Sequence, residues 1–301
     1  MVTVGSDRID VSVGGKPFTA LHTSAAPRKL YLHPVMTASG KRVTRAFPME
    51  QVAGESTDHP HQRGIWIGAE ELSGMDFWEN EPSENKPNAG AVVLVAVSDV
   101  DSGAEGSFTI RANWMSAAGT NAIAETRTMT FSEPGRDQRV IDIDVRLVAK
   151  MPVTFADNHD AILGLRLATE FEEPKGGKAV NAEGTTGWER LRGSRSAWVD
   201  WHATIDGEDV GVAVMDAPVN FRFPTPWHVR DYALLFASPF AFRDYNPSAM
   251  DGALAMKRGD ELRLRYRILV HSGPVDISAA FKTFSKRVSG GSGRVGGPGE
   301  R

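Results

Sequence analysis

Two short segments concentrate side chains that can move protons or hold charged oxygens. The first is Asp58-His59-Pro60-His61-Gln62-Arg63-Gly64-Ile65-Trp66, followed by Asp76-Phe77-Trp78. It gathers imidazoles, carboxylates, a guanidinium and indoles around a stiff Pro60. The second, Pro224-Thr225-Pro226-Trp227-His228-Val229-Arg230-Asp231-Tyr232, repeats the mixture far down the chain. An imidazole titrates near neutrality, so His61, then His59 and His228, are the expected acid/base groups. Arg63 and Arg230 offer planar forks of donors suited to a carboxylate, a diol or a developing enolate oxygen.

Each reading has a plainer competitor. If the backbone is extended, His59 and His61 project to the same side, as in many H-x-H metal pairs, with Asp58, His159, His228 or Glu170 as a third ligand. The same pair equally suits proton transfer, or merely the holding of a loop. No metal ligand is assigned, and a divalent metal stays open as the one cofactor. Asp58 reads as an orienting partner or loop cap. Trp66 and Trp227 can support a sugar ring, although indoles such as Trp66 and Trp78 more often fill a β core. Pro226 excludes helix at Thr225, so a strand should start at Trp227 and put His228 and Arg230 on one face, Trp227 and Val229 on the other. Arg166 and Glu170, four apart in an expected strand, would share a face as a hydroxyl-binding pair or a structural ion pair. His22, His202 and His271 belong to no cluster and read as structural.

The elements that must position these groups are strands. Ile141, Ile143, Val145 and Leu147 alternate with Asp142, Asp144 and Arg146, and Leu262, Leu264, Tyr266, Ile268 and Val270 alternate with Arg263, Arg265 and Arg267. Further strands are expected over 91–100, 107–115, 122–131, 161–171, 197–205 and 210–215. Turn residues such as Gly14-Gly15, Pro134-Gly135, Gly176-Gly177 and Asp206-Gly207 separate many of them. One helix is expected over 276–286, packed on the sandwich edge, with Ile277, Ala280, Phe281 and Phe284 on one face. The pattern predicts an all-β, large antiparallel β-sandwich filling one domain over 1–288, then a disordered Gly-rich tail over 289–301. Loops over 35–57 and 79–90 would rim a concave sheet face.

Composition narrows the function classes. With 34 Lys and Arg against 38 Asp and Glu the formal charge is −4, and no basic excess points to nucleic acid or an anionic membrane. The chain has no Cys, which excludes disulfides, thiolate metal sites and a Cys nucleophile and suits a reducing, cytoplasmic setting. The start of the chain lacks a signal-like apolar core and no run approaches a membrane span. Phosphate-binding Gly-rich loops and a G-x-S-x-G elbow are both missing.

The motifs Arg28-Lys29-Leu30-Tyr31-Leu32-His33-Pro34, Val43-Thr44-Arg45, Asp58-His59-Pro60-His61-Gln62-Arg63-Gly64, Asp76-Phe77-Trp78, Asp216-Ala217-Pro218-Val219-Asn220, Pro224 to Arg230 and Ser238-Pro239-Phe240 together resemble a PmoA-like family of uncharacterised bacterial proteins. This chain departs from that pattern at Gln62 and Phe223, where His is usual, and at Ser238, where Asn is usual. The resemblance implies a galactose mutarotase-like sandwich and the handling of carbohydrate. It implies no methane oxidation, since no spanning segment exists.

The expectation is a carbohydrate-active enzyme acting on a sugar or oxidised (keto) sugar by His-mediated proton transfer, as an epimerase, mutarotase, lyase or hydrolase. His61, His228 and His59 would be catalytic, while Arg63, Arg230, Trp227, Trp66, Arg166 and Glu170 would bind substrate. The competing expectation is a non-catalytic sugar-binding or accessory protein. The partner is a small-molecule carbohydrate in both cases, and the sequence leaves the oligomeric state open.

Overall fold

A computed structural model describes residues 1–290. Two eight-stranded antiparallel sheets dominate it. The first sheet runs edge to edge through Val2–Val4, Arg8–Val13, Lys16–His22, Tyr31–Val35, Ile65–Ala69, Ala161–Arg166, Leu234–Ala237 and Trp227–Arg230. The second runs through Lys178–Asn181, Trp198–Ile205, Glu208–Asp216, Glu261–Ser272, Gln138–Ala149, Asn121–Ser132, Gly106–Met115 and Ala91–Ser102. A small ribbon pairs Val153–Phe155 with Leu254–Met256. The all-β sandwich expected from alternation is the observed architecture.

Register explains why the two longest alternating segments pair. Ile141, Ile143, Val145 and Leu147 lie opposite Ile268, Tyr266, Leu264 and Leu262, and all eight are buried in the core between the sheets. The intervening residues face outward as cross-strand ion pairs. Asp144 takes Arg263 and Arg265, while Asp142 takes Arg267. Opposite charges on neighbouring strands thus satisfy the wet face that the sequence pattern demanded.

The first sheet is built differently. Ile65–Ala69, Ala161–Arg166 and Leu234–Ala237 are buried at every residue, because one face meets the second sheet and the other lies under long loops. Such strands read as continuous apolar runs without alternation.

Most expected strand ends fall within two residues of the observed ones, and the larger departures lie at one strand and at the helix. The strand expected over 161–171 ends at Arg166, and a 3-10 turn covers Thr169–Phe171. The helix runs over Ile277–Gly290, with the Asp276 carboxylate accepting from the Ala279 amide, so the tail does not begin at 289. The rest of the expected tail, 291–301, lies outside the described residues. The helix also packs on a sheet face rather than an edge: Ile277, Phe284 and Val288 cover Val140, Ala213, Met215 and Leu269 of the second sheet. No helix of the described residues is long and apolar enough to cross a membrane.

Candidate functional site

The outer face of the first sheet gathers both clusters. Tyr31 pairs with Trp66, Trp66 with Gly164, Gly164 with Phe236 and Phe236 with His228, so this row points to one face. Its neighbours Leu32, Ile65, Leu165, Leu235 and Val229 point into the main core. A side chain at Gly164 would collide with the Trp66 indole; glycine here lets the ring lie across the sheet. Trp66, Trp78 and Phe236 then pack against each other at 4.7 to 5.8 Å between ring centroids. Trp66 is fully buried, so it forms the floor of the site and is not exposed to a sugar.

Above this floor stands the first cluster. His59 has a φ of +45°, so the His59-Pro60-His61 segment is not extended and the same-side argument from alternation does not apply. The two rings nonetheless meet edge to face at 5.7 Å. Each imidazole carries a carboxylate on Nδ1: Asp58 at 3.0 Å from His59 and Glu84 at 2.7 Å from His61. His59 is 41% exposed and His61 only 3%. Burial pulls the His61 imidazole below its ordinary range, against the raising effect of Glu84. The hydrogen bond from His59 and the nearby Arg166 hold Asp58 well below the usual carboxylate range despite its partial burial.

Guanidinium groups surround Asp58. Arg45 donates to it at 2.7 Å and to the His59 carbonyl at 2.9 Å. Arg166 reaches it at 3.3 Å and donates to the Gln62 amide oxygen at 2.5 Å. Arg166 is buried, and that burial pushes its guanidinium down to about 10. It does not pair with Glu170, which lies exposed on the 3-10 turn beyond the end of the strand. Arg63 is also committed: its Nε and Nη2 each sit 2.8 Å from the Glu81 carboxylate. The Nε/Nη2 edge that would clamp a carboxylate or diol bidentately is thus taken by Glu81, while Nη1 lies 3.4 Å from the Tyr31 hydroxyl.

The second cluster forms the predicted strand, Trp227–Arg230. Its alternation holds: Trp227 and Val229 enter the core, while His228 and Arg230 share the outer face. Trp227 is therefore no substrate platform; it is fully buried and its indole N–H donates to the Ser196 carbonyl at 2.8 Å. His228 stacks on His159 at 4.1 Å and lies 3.0 Å from the Tyr245 hydroxyl. Burial, then the neighbouring His159, Arg192 and Arg230, drive the His228 imidazole down to about 2. His159 is 27% exposed and its Nδ1 lies 2.5 Å from Asp244. His61 and His228 thus do not face each other; each backs a different, more open imidazole.

Tyr232 joins the two clusters. His59 stacks on its ring at 5.6 Å, and Arg166 and Arg230 lie over it at 4.5 and 5.3 Å. Arg230 also lies over Trp188 at 5.5 Å, and among the described residues no carboxylate pairs with it. The sequence had placed Tyr232 inside the second cluster without giving it a role. Glu84 and Asp244 carried no local signal, because their partners lie 23 and 85 residues away.

Two further groups border the site. Lys29 is fully buried and donates to the carbonyls of His61 at 2.8 Å and Trp78 at 2.6 Å, with burial pushing its ammonium down to about 7. Glu70, Glu79 and Asp160 gather their oxygens within 4.8 Å of one another, with Lys86 bonded to Glu79 and near Glu70. Burial and then Glu70 push Asp160 well above its ordinary range. The His59/His61 pair belongs to neither of the two ligand groups that the described residues offer a metal ion.

The sequence matches, over residues 8–285, the family described as "Family of unknown function (DUF6807)". The chain belongs to this family. That assignment replaces the resemblance to a PmoA-like family, which the match does not support. No curated protein matches the DUF6807 chain. Solved structures similar to it include a heparinase III, at 11% identity and a TM-score of 0.39, which it covers over 36% of that protein and 93% of its own length. A β-arabinopyranosidase is similar at 12% identity and 0.38, covering 40% of that protein and 88% of this chain. A galactose mutarotase related enzyme from Lactobacillus acidophilus is similar at 9% identity and 0.37, covering 97% of that protein and 90% of this chain. The chain therefore spans well under half of the first two.

Proposed function

We propose that this protein is a carbohydrate-active enzyme that takes a sugar or oxidised (keto) sugar on the outer face of its first sheet and transfers a proton, as an epimerase, mutarotase, lyase or hydrolase does. The observation that carries this reading is the meeting of both His/Arg clusters at the Tyr232 ring. Each cluster pairs an open imidazole with a buried one: His59 before His61, and His159 before His228. A carboxylate on Nδ1 favours the tautomer in which Nε2 exchanges the proton. Asp58 and Asp244 serve His59 and His159 in this way. Arg230, held by rings and by no carboxylate among the described residues, is a cation available to a developing negative oxygen. The Tyr232 ring supplies the apolar surface that a sugar face packs on.

The test is solvent proton exchange. Incubating the protein with a panel of sugars and ketosugars in deuterated water, followed by NMR, should reveal enolisation of one of them. His59→Ala and His159→Ala should each lower that exchange by roughly 10²–10⁴-fold. Undiminished exchange in both variants would remove the assignment.

One observation favours a second reading, a non-catalytic sugar-binding or accessory role. A cavity of about 360 Å³ lies on the second sheet beside Asp142, Asp144 and Arg263, and one of about 310 Å³ lies beside Arg28 and Lys86. Both are open hollows with charged side chains in their walls, as on a recognition surface. A sugar that binds without any exchange would select that reading.

A further inference from the structure

His202 and His271 read as isolated in the sequence, yet the second sheet puts them on one rung. His202 pairs with Gly211, and Gly211 pairs with His271. Asp200, two residues before His202, lies on the same face. The ligand atoms of all three residues fall within 4.8 Å of one another. His202 Nε2 lies 2.7 Å from Asp200 Oδ2, and His271 Nε2 lies 3.3 Å from Asp200 Oδ1. The two imidazoles are nearly perpendicular, with an interplanar angle of 75°.

We infer that Asp200, His202 and His271 form a binding site for a divalent transition metal of the zinc class on the outer face of the second sheet. Nitrogen and oxygen donors in a two-histidine, one-carboxylate set suit such an ion, and no thiolate is required. The orientation of His271 supports the inference. Its Nδ1 lies 2.9 Å from the Gly273 carbonyl, an acceptor that places the ring proton on Nδ1. Nε2 is then the nitrogen turned toward the Asp200 carboxylate, at 3.3 Å, and in the neutral ring its lone pair can serve as a ligand. A cation between them turns both into ligands. The carbonyl of Gly273 plays the outer-shell part that fixes the tautomer of a metal-bound histidine.

Gly211 gives the site its room. A Cβ there would collide with the imidazole nitrogen and carbon of His271, so any larger residue displaces the ring from Asp200. The site is also open on one side. Asp200 and His271 are buried, whereas the His202 side chain is 47% exposed, which leaves a coordination position for water or a small ligand. Three protein ligands with one open position are the arrangement of catalytic zinc, whereas structural zinc is closed by a fourth ligand. This site lies on the opposite sheet from the His59/His159 face, and the inference does not rest on the sugar-directed reading.

The test is zinc titration by calorimetry on the full chain, untagged and stripped with a chelator. One equivalent should bind, and His202→Ala and Asp200→Asn should each weaken binding at least tenfold. Cobalt added to the stripped protein should give visible d–d bands that His202→Ala removes. His202 is half exposed, so its replacement leaves the core packing in place, and a circular dichroism spectrum matching the parent shows that the variant is folded. Gly211→Ala should reduce affinity in the same direction. His59→Ala should leave stoichiometry and affinity unchanged. No binding by the stripped parent, or equal binding by folded His202→Ala and Asp200→Asn, would overturn the inference.

Discussion

The outer faces of the two sheets carry similar residue types and use them in opposite ways. On the second sheet, Asp142 and Asp144 meet Arg263, Arg265 and Arg267 across neighbouring strands, and exposure runs from 46% at Arg263 to 9% at Arg267 beside the helix. On the first, Arg45 and Arg166 are buried and share the carboxylate of Asp58, while Arg230 lies over the Trp188 and Tyr232 rings and pairs with no carboxylate among the described residues. Charges matched across a strand are what a solvated sheet face needs. Guanidinium groups that are fully buried, or left without a carboxylate, and stand beside imidazoles mark a place where a further anion or polar ligand completes the set. The presence of polar residues on a strand is thus a poor guide to function; their pairing and burial discriminate.

The largest effect that tests this contrast comes from the floor of the first face. Trp66→Ala should cost about 3–5 kcal/mol in urea unfolding, the range for a fully buried large aromatic. A loss below about 1 kcal/mol would show that the indole is free of packing and available to a ligand. Next comes the difference between ion pairs. Glu81→Ala strands the largely buried Arg63 and should cost about 3 kcal/mol, whereas Arg263→Ala on the second face should cost about 0.2–1 kcal/mol. Equal costs would erase the distinction drawn between the faces.

A smaller effect concerns pH. Burial holds His228 neutral in the folded protein, with its pKa lowered from the unfolded value. Its contribution is fully present above the unfolded value of about 6.5 and is lost as pH falls toward the folded one. Between pH 7 and pH 5 the parent should lose about 2 kcal/mol relative to His228→Phe, since each unit is worth about 1.36 kcal/mol. The same difference at both pH values would contradict the burial of a neutral imidazole there.

The strands were legible because they are simple. Residues 141–147 and 262–268 alternate strictly, and a period of two is that of a strand. The strand after Pro226 and the shared face of His228 and Arg230 followed from proline geometry and alternation alone. What alternation does not report is the level of the chain's turns. A left-handed His59 breaks the parity between His59 and His61, and the 3-10 turn at 169–171 takes Glu170 away from Arg166. Pairing over long sequence distances was equally hidden. Glu84 behind His61, Asp244 beside His159 and the His202–Gly211–His271 rung exist only once strands are in register. Arg63 and Trp227 illustrate the remaining limit: a residue type suited to recognition is also suited to filling a core, and only its partners decide.

The central claim is that the first sheet's outer face, at Tyr232, is where a sugar is received. Following the imidazole C–H resonances during titration with the sugars of the panel tests it most directly, with assignments from single His→Ala variants. The resonances of His59 and His159 should shift in a saturable manner with one sugar, while those of His202 and His271 stay in place. Saturable shifts confined to His202 and His271, or a sugar bound with His59 and His159 both undisturbed, would contradict the account.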